Sequence, residues 1–185
     1  GGLFGWNIWY QPLAGLIFFL AALAESNRLP FDLPECEQEL IGGYHTEYSA
    51  LKFGMFFLAE YTHVFTVSFL CSVLFFGGWH FPGIAEATSV GTLATVLKIG
   101  VLLSKVFCVI VVIMLLRWCL PRFRFDQLMG LCWKVLIPLS LANMVCVMVV
   151  REFDLSWFWL PVSSLLLFCT AGYLSFKPAP PSARR

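Results

Sequence analysis

The chain has 185 residues, of which 59% are hydrophobic and only 12% charged, and its formal net charge is +1. Its mean hydropathy is +0.82. Soluble globular domains carry about 25% charged residues, so an ordinary soluble fold is excluded, and near-neutrality excludes a nucleic-acid partner. What remains is an all-α, polytopic membrane helix bundle.

A span needs about 20 apolar residues to cross roughly 30 Å of hydrocarbon. Five stretches qualify in chain order: residues 8–24, 54–76, 99–120, 128–150 and 157–176. Trp6, Trp9 and Tyr10 form an aromatic belt at the first, which Gln11-Pro12 interrupts. Five spans put Arg28, Lys52, Arg117, Arg122, Arg124, Lys134, Lys177, Arg184 and Arg185 on one side, leaving Lys98, Lys105 and Arg151 for the other. By the positive-inside rule the first group faces the cytoplasm or matrix. Residues 1–176 form one membrane domain, with a loop over 25–53 on that side and a Pro- and Arg-rich, disordered tail over 177–185. Gly1-Gly2, without Met, reads as a start within a longer protein or as one half of a split gene. The seven cysteines show no C-x-x-C or metal spacing and read as small packing residues.

Between the first two spans the composition changes. Seven of the eleven acidic side chains, Glu25, Asp32, Glu35, Glu37, Glu39, Glu47 and Glu60, fall within residues 25–60. A carboxylate near a bilayer centre costs about 2.5–3.5 kcal/mol on insertion scales, so acids gathered at a membrane boundary call for a role with protons, ions, a partner or a buried polar site. Pro30 and Pro34 forbid a continuous helix out of the first span. Asp32 and Glu35 have capping-box spacing, which predicts a short helix over 33–41 that stops at Gly42-Gly43. Glu35 and Glu39 then share one face at i,i+4, with Glu37 turned away; their repulsion calls for a cation or a proton, and Arg28 and Lys52 are nearest in sequence. Glu60 lies roughly 9 Å into the second span, with His63 on the same face. Lys105 could be its counter-charge, a separate relay, or a snorkelling side chain.

Beyond the second span, residues 77–83 read as an interfacial turn and 84–98 as a loop or short surface helix. Basic and aromatic residues alternate from Arg117 to Asp126, Pro138 predicts a kink, and Asn143 needs a polar partner. A solvated, acidic loop helix would account for Glu35, Glu37 and Glu39 alone, and headgroup anchoring for Arg122 and Arg124. Glu25, Glu47 and Glu60 in the same stretch favour function. A proton- or ion-conducting subunit, a quinone-site subunit, a transporter and a structural anchor all fit. No haem-ligand His pair, Fe–S cysteine set or nucleotide-binding glycines appear, so no redox centre is expected in this chain.

Longer motifs narrow the choice. Glu25-Ser26-Asn27-Arg28, Pro30-Phe31-Asp32-Leu33-Pro34-Glu35, Glu37, Glu39-Leu40, Gly43-Tyr44, Glu47-Tyr48, Phe56-Phe57-Leu58-Ala59-Glu60-Tyr61, and Arg117 with Pro121-Arg122-Phe123-Arg124-Phe125-Asp126-Gln127-Leu128-Met129 resemble one family. It is the quinone-chamber membrane subunit of NADH:quinone oxidoreductase, respiratory complex I. The resemblance runs from near Pro12 to about Asn143 and covers the family's C-terminal half. Ser26 stands where Thr is usual, and Thr62-His63 where a small residue and Asn are common.

The resemblance implies a subunit that bridges the pumping and peripheral arms and forms part of the quinone tunnel. Carried over, Glu35, Glu37, Glu39 and Glu47 line a proton path that Glu60 continues into the membrane. Glu25, Arg28 and Asp32 shape the loop or chamber, with Arg122, Arg124 and Asp126 at its floor or docking surface. The chain would bind no cofactor: quinone is the substrate, and NADH, FMN and Fe–S clusters belong to partner subunits. Partners would be the other complex I subunits, lipid, and a chain supplying the missing half if the gene is split. Abundant Phe, Cys, Trp and Val suit an organellar genome, placing the mitochondrial inner membrane ahead of a bacterial plasma membrane. The membrane anchor of an energy-converting hydrogenase, or a scaffold for a peripheral arm, is the alternative.

Overall fold

The computed structural model describes residues 5–28, 30–32, 42, 46–83, 91–154 and 156–176. Every regular element among them is helical: α1 Asn7–Tyr10, α2 Pro12–Glu25, α3 Ala50–Leu74, α4 Thr92–Cys119, α5 Phe125–Leu131, a π-helical turn Cys132–Leu136, α6 Ile137–Glu152 and α7 Trp159–Phe176. Glu35, Glu37 and Glu39, the helix expected over 33–41, and the 177–185 tail lie outside the described residues.

Three helical runs are long and apolar enough to cross a bilayer: Ala50–Leu74, Thr92–Cys119 and Phe125–Glu152. The chain is an integral membrane protein. Two of the five expected spans are shorter apolar helices, Pro12–Glu25 and Trp159–Tyr173. The first span divides at Gln11: Pro12 has no N–H to donate back into α1 and instead opens α2 at its first turn. The third starts earlier than expected, because residues 92–98 continue α4 rather than forming a loop or separate surface helix. In the fourth, Pro138 removes one i→i−4 bond, and the ladder is re-registered through the π turn just before it.

The helix α2 packs against α3, α6 and α7, while α3 pairs with α4 and α6 with α7. Leu23, Phe31, Val64, Cys71, Val109 and Ile113 form a buried cluster where α2, α3 and α4 meet. On α3 the fully buried Ser68 and Ser72 donate their hydroxyls to the carbonyls of Val64 and Ser68. Small, self-satisfied side chains let neighbouring helices approach closely without stranding a polar group in hydrocarbon.

Lys105 belongs to the far end of α3. Its Nζ donates to the carbonyls of Phe76 (2.8 Å), Gly78 (2.9 Å) and His80 (2.7 Å), and lies 4.5 Å from the centre of the Trp6 ring. Asn7 Nδ2 donates to Leu74 O at 2.8 Å and the Ile8 N–H to Phe75 O at 3.2 Å. Carbonyls that a helix end leaves unpaired are thus capped by α1 and α4. Phe76 is 16 residues beyond Glu60, roughly 24 Å along a helix. The expectation that Lys105 is the counter-charge of Glu60 is therefore overturned: all three ammonium protons are bound to carbonyls at the other end. Gly77 permits this turn, since it has φ +69° and a Cβ there would lie 2.8 Å from Trp6 Cδ1.

Candidate functional site

At the acidic end of the bundle, α2 stops by a Schellman motif. The Arg28 N–H donates to Leu23 O and the Asn27 N–H to Ala24 O, both at 3.4 Å, with Asn27 at φ 49°. Asn tolerates the left-handed conformation that this stop requires, and Pro30 follows where the helix cannot continue. The chain then turns inward, so that Arg28, Pro30, Phe31 and Asp32 are all buried.

This loop is joined to the one between α4 and α5 by three different interactions. The Phe123 N–H donates to Pro30 O at 3.1 Å, the Phe31 and Phe123 rings stack 5.8 Å apart, and Arg122 reaches Asp32 Oδ2 at 3.4 Å. Asp32 is only 1% exposed. Its carboxylate survives there because a guanidinium supplies charge-assisted contact. Arg28, 5% exposed, lies 4.8 Å from the centre of the Tyr61 ring, and its Nε and one terminal nitrogen have no hydrogen-bond partner. A guanidinium does not give up its proton, so this site holds permanent positive charge beside the buried acid.

Glu25, on the last residue of α2, is exposed, and its Oε1 stands 4.0 Å from His63 Nε2. Glu60 is half-buried one turn before His63 on α3. Glu47 is exposed in the turn that precedes α3. Arg124 caps α5, its N–H donating to the Gln127 side chain at 3.2 Å, and Asp126 is exposed in the first turn. The structure therefore joins Asp32 to Arg122, places Arg28 over Tyr61 of α3, and sets Glu25 at the end of α2 against His63, one turn from Glu60 on α3. Glu47, Arg124 and Asp126 stay at the edges of this site.

Below Phe31 an apolar cleft of about 330 Å³ opens between α2 and the α5–α6 run, lined by Leu20, Ala24, Leu128, Leu136 and Ile137 among others. Sequence reading did not anticipate this cleft, the Phe31–Phe123 stack or the cation–π contact of Arg28. The signal for the stack was present, since Phe31 and Phe123 each sit beside the charged residue of the Asp32–Arg122 pair. The six described cysteines are free, and Cys36 lies outside the described residues. Among the described residues no three His, Cys, Asp or Glu side chains converge as a metal set.

Comparison with known proteins bears directly on this arrangement. The profile of the family described as NADH dehydrogenase matches residues 2–148. The chain belongs to this family. It is 52% identical over 143 residues to an NADH-quinone oxidoreductase subunit from Flavobacterium johnsoniae, and 50% identical over 143 residues to the protein of the same name from Flavobacterium psychrophilum. Each alignment covers 76% of this chain and 41% of the relative. It is also 47% identical over 155 residues to an NADH-quinone oxidoreductase subunit from Rhodothermus marinus, covering 78% of this chain and 44% of that protein. The chain thus spans about two fifths of the length of these relatives. The Asp32–Arg122 site falls wholly within the stretch that matches the family.

Proposed function

We propose that the chain is part of the membrane subunit of a proton-pumping NADH:quinone oxidoreductase, that it forms part of the quinone chamber, and that its acidic stretch couples quinone reduction to proton translocation. The observation that carries this reading is the buried Asp32–Arg122 pair, one residue from an apolar cleft. A quinone is an amphiphile with a hydrogen-bonding head and a hydrocarbon tail. The polar end of the site offers guanidinium donors to a carbonyl oxygen, and the cleft offers desolvated apolar walls to the tail. Electrons would come from NADH through FMN and Fe–S clusters held by partner subunits.

Reduction of a quinone to a quinol consumes two protons and changes the local charge. Carboxylates near that event change their proton occupancy with it. Glu35, Glu37, Glu39 and Glu47 would respond first, and Glu60, half-buried in α3, would pass the change along the membrane. Arg28 and Arg122 would hold the positive field against which these acids ionise.

Labelling the assembled complex with a photoreactive azido-quinone tests this assignment. Adducts are expected within residues 17–32 or 122–140, suppressed by excess unlabelled quinone. Adducts confined to other regions would overturn the chamber assignment, and a complex insensitive to quinone-site inhibitors would favour the hydrogenase-anchor alternative instead.

A further inference from the structure

His63 and Glu25 are titratable groups of this site that the coupling scheme leaves unused. The His63 Nε2 is shielded from solvent, makes no hydrogen bond, and faces Glu25 Oε1 at 4.0 Å. That is too long for a hydrogen bond yet within reach of one once the Glu25 side chain, 72% exposed, changes rotamer. A shielded imidazole nitrogen without a partner is a state the pair should leave when it can, and protonation of the ring supplies the attraction.

We propose that His63 is the proton partner of Glu25. In the forward step the O–H bond of a protonated Glu25 breaks and the Nε2–H bond of His63 forms, converting neutral acid and neutral imidazole into carboxylate and imidazolium. In the reverse step the proton returns to Glu25, which exchanges it with water. The inference rests on the coupling role proposed above and deepens it. It adds an imidazole between α2 and α3, one turn from Glu60, and makes His63 a positioning residue for the charge on Glu25.

The surroundings fit such an exchange. On α3, Glu60 is half-buried one turn away and Tyr61 is exposed two residues before His63. From the loop after α2 come Arg28, placed over the Tyr61 ring, and Asp32, paired with Arg122. The helix α4, packed along α3, carries Lys98, Lys105, Cys108, Arg117 and Cys119. Lys105 is held by carbonyls 13 or more residues past His63, roughly 20 Å along the helix.

The test uses the assembled complex in membranes, with Glu25→Gln, Glu60→Gln, His63→Asn, His63→Gln and the Glu25→Gln/His63→Asn double variant. Each His63 variant should lower NADH:quinone turnover by about tenfold, less than the 10²–10⁴ typical of a direct acid–base group. The quinone KM should not change. Both His63 variants should also change the pH profile of turnover in the same way, since each removes the group that takes the proton. The double variant should be no slower than the slower single one, because both changes break one exchange. Wild-type rate and pH profile in both His63 variants, with Glu25→Gln impaired, would overturn the proposal while leaving the coupling role intact. So would multiplicative losses in the double variant, or failure of both His63 variants to assemble, which would assign the imidazole to packing. Wild-type turnover in Glu25→Gln and Glu60→Gln alike would instead remove the coupling role itself.

Discussion

Asp32 shows how one residue decides whether the site stands. Its carboxylate is almost fully enclosed and is reached by Arg122 at 3.4 Å, while Arg28 sits nearby with two nitrogens unpartnered. Asp32→Asn keeps the volume but removes the carboxylate charge that faces Arg122. A fully buried pair broken on one side loses about 3–5 kcal/mol. The Arg122 side chain is about a third exposed, so a loss of about 1–3 kcal/mol is expected. It should appear as a lower dissociation temperature of the assembled complex. Replacing both members, as Asp32→Asn with Arg122→Met, should cost no more than the single change, since no charge is then left facing a vacated partner. The sequence makes Asp32 and Arg122 candidates separately, as an N-cap and as a basic loop residue. It cannot pair them, because they are 90 positions apart and the contact depends on how two loops meet.

At the scale of elements, the helices are legible where apolar runs are long, and less so at their ends. Pro30 marks a stop for α2, but the chain leaves the helix earlier through Asn27, whose left-handed φ closes two capping bonds. Pro138 predicts a kink and the structure has a π turn before it, since a missing N–H says that the ladder must adjust without saying how. Lys105 is a residue whose role the sequence leaves open. Its depth in an apolar run suggests partnership with an acid, whereas backbone carbonyls at the end of α3 satisfy it. Lys105→Met would strand those carbonyls, at a cost of about 1–3 kcal/mol. Amides of residues 74–83 should then exchange hydrogen faster in the assembled complex, with residues 50–60 unchanged. Unaltered exchange, together with a turnover loss as large as that of Glu60→Gln, would return Lys105 to the proton path.

Across the whole molecule, the sequence discloses an all-α membrane protein and its family, since both rest on composition and on long ordered motifs. The site is legible there as a set of residues and not as a shape. The cleft under Phe31 exists only because α2 packs against α6 while the loop after it folds back. Large apolar side chains such as Phe107, Trp118, Met144 and Leu165 remain exposed along α4, α6 and α7. That is the pattern of helices that meet lipid or further spans. The central claim belongs to this scale: the acids of residues 25–60 exchange protons in step with quinone chemistry beside them. Its most direct test is the turnover and proton-to-electron ratio of the assembled complex carrying Glu60→Gln or Glu39→Gln. Turnover reduced by about tenfold or more is expected in each, with normal amounts of complex. Wild-type turnover and normal pumping in both variants would contradict the claim.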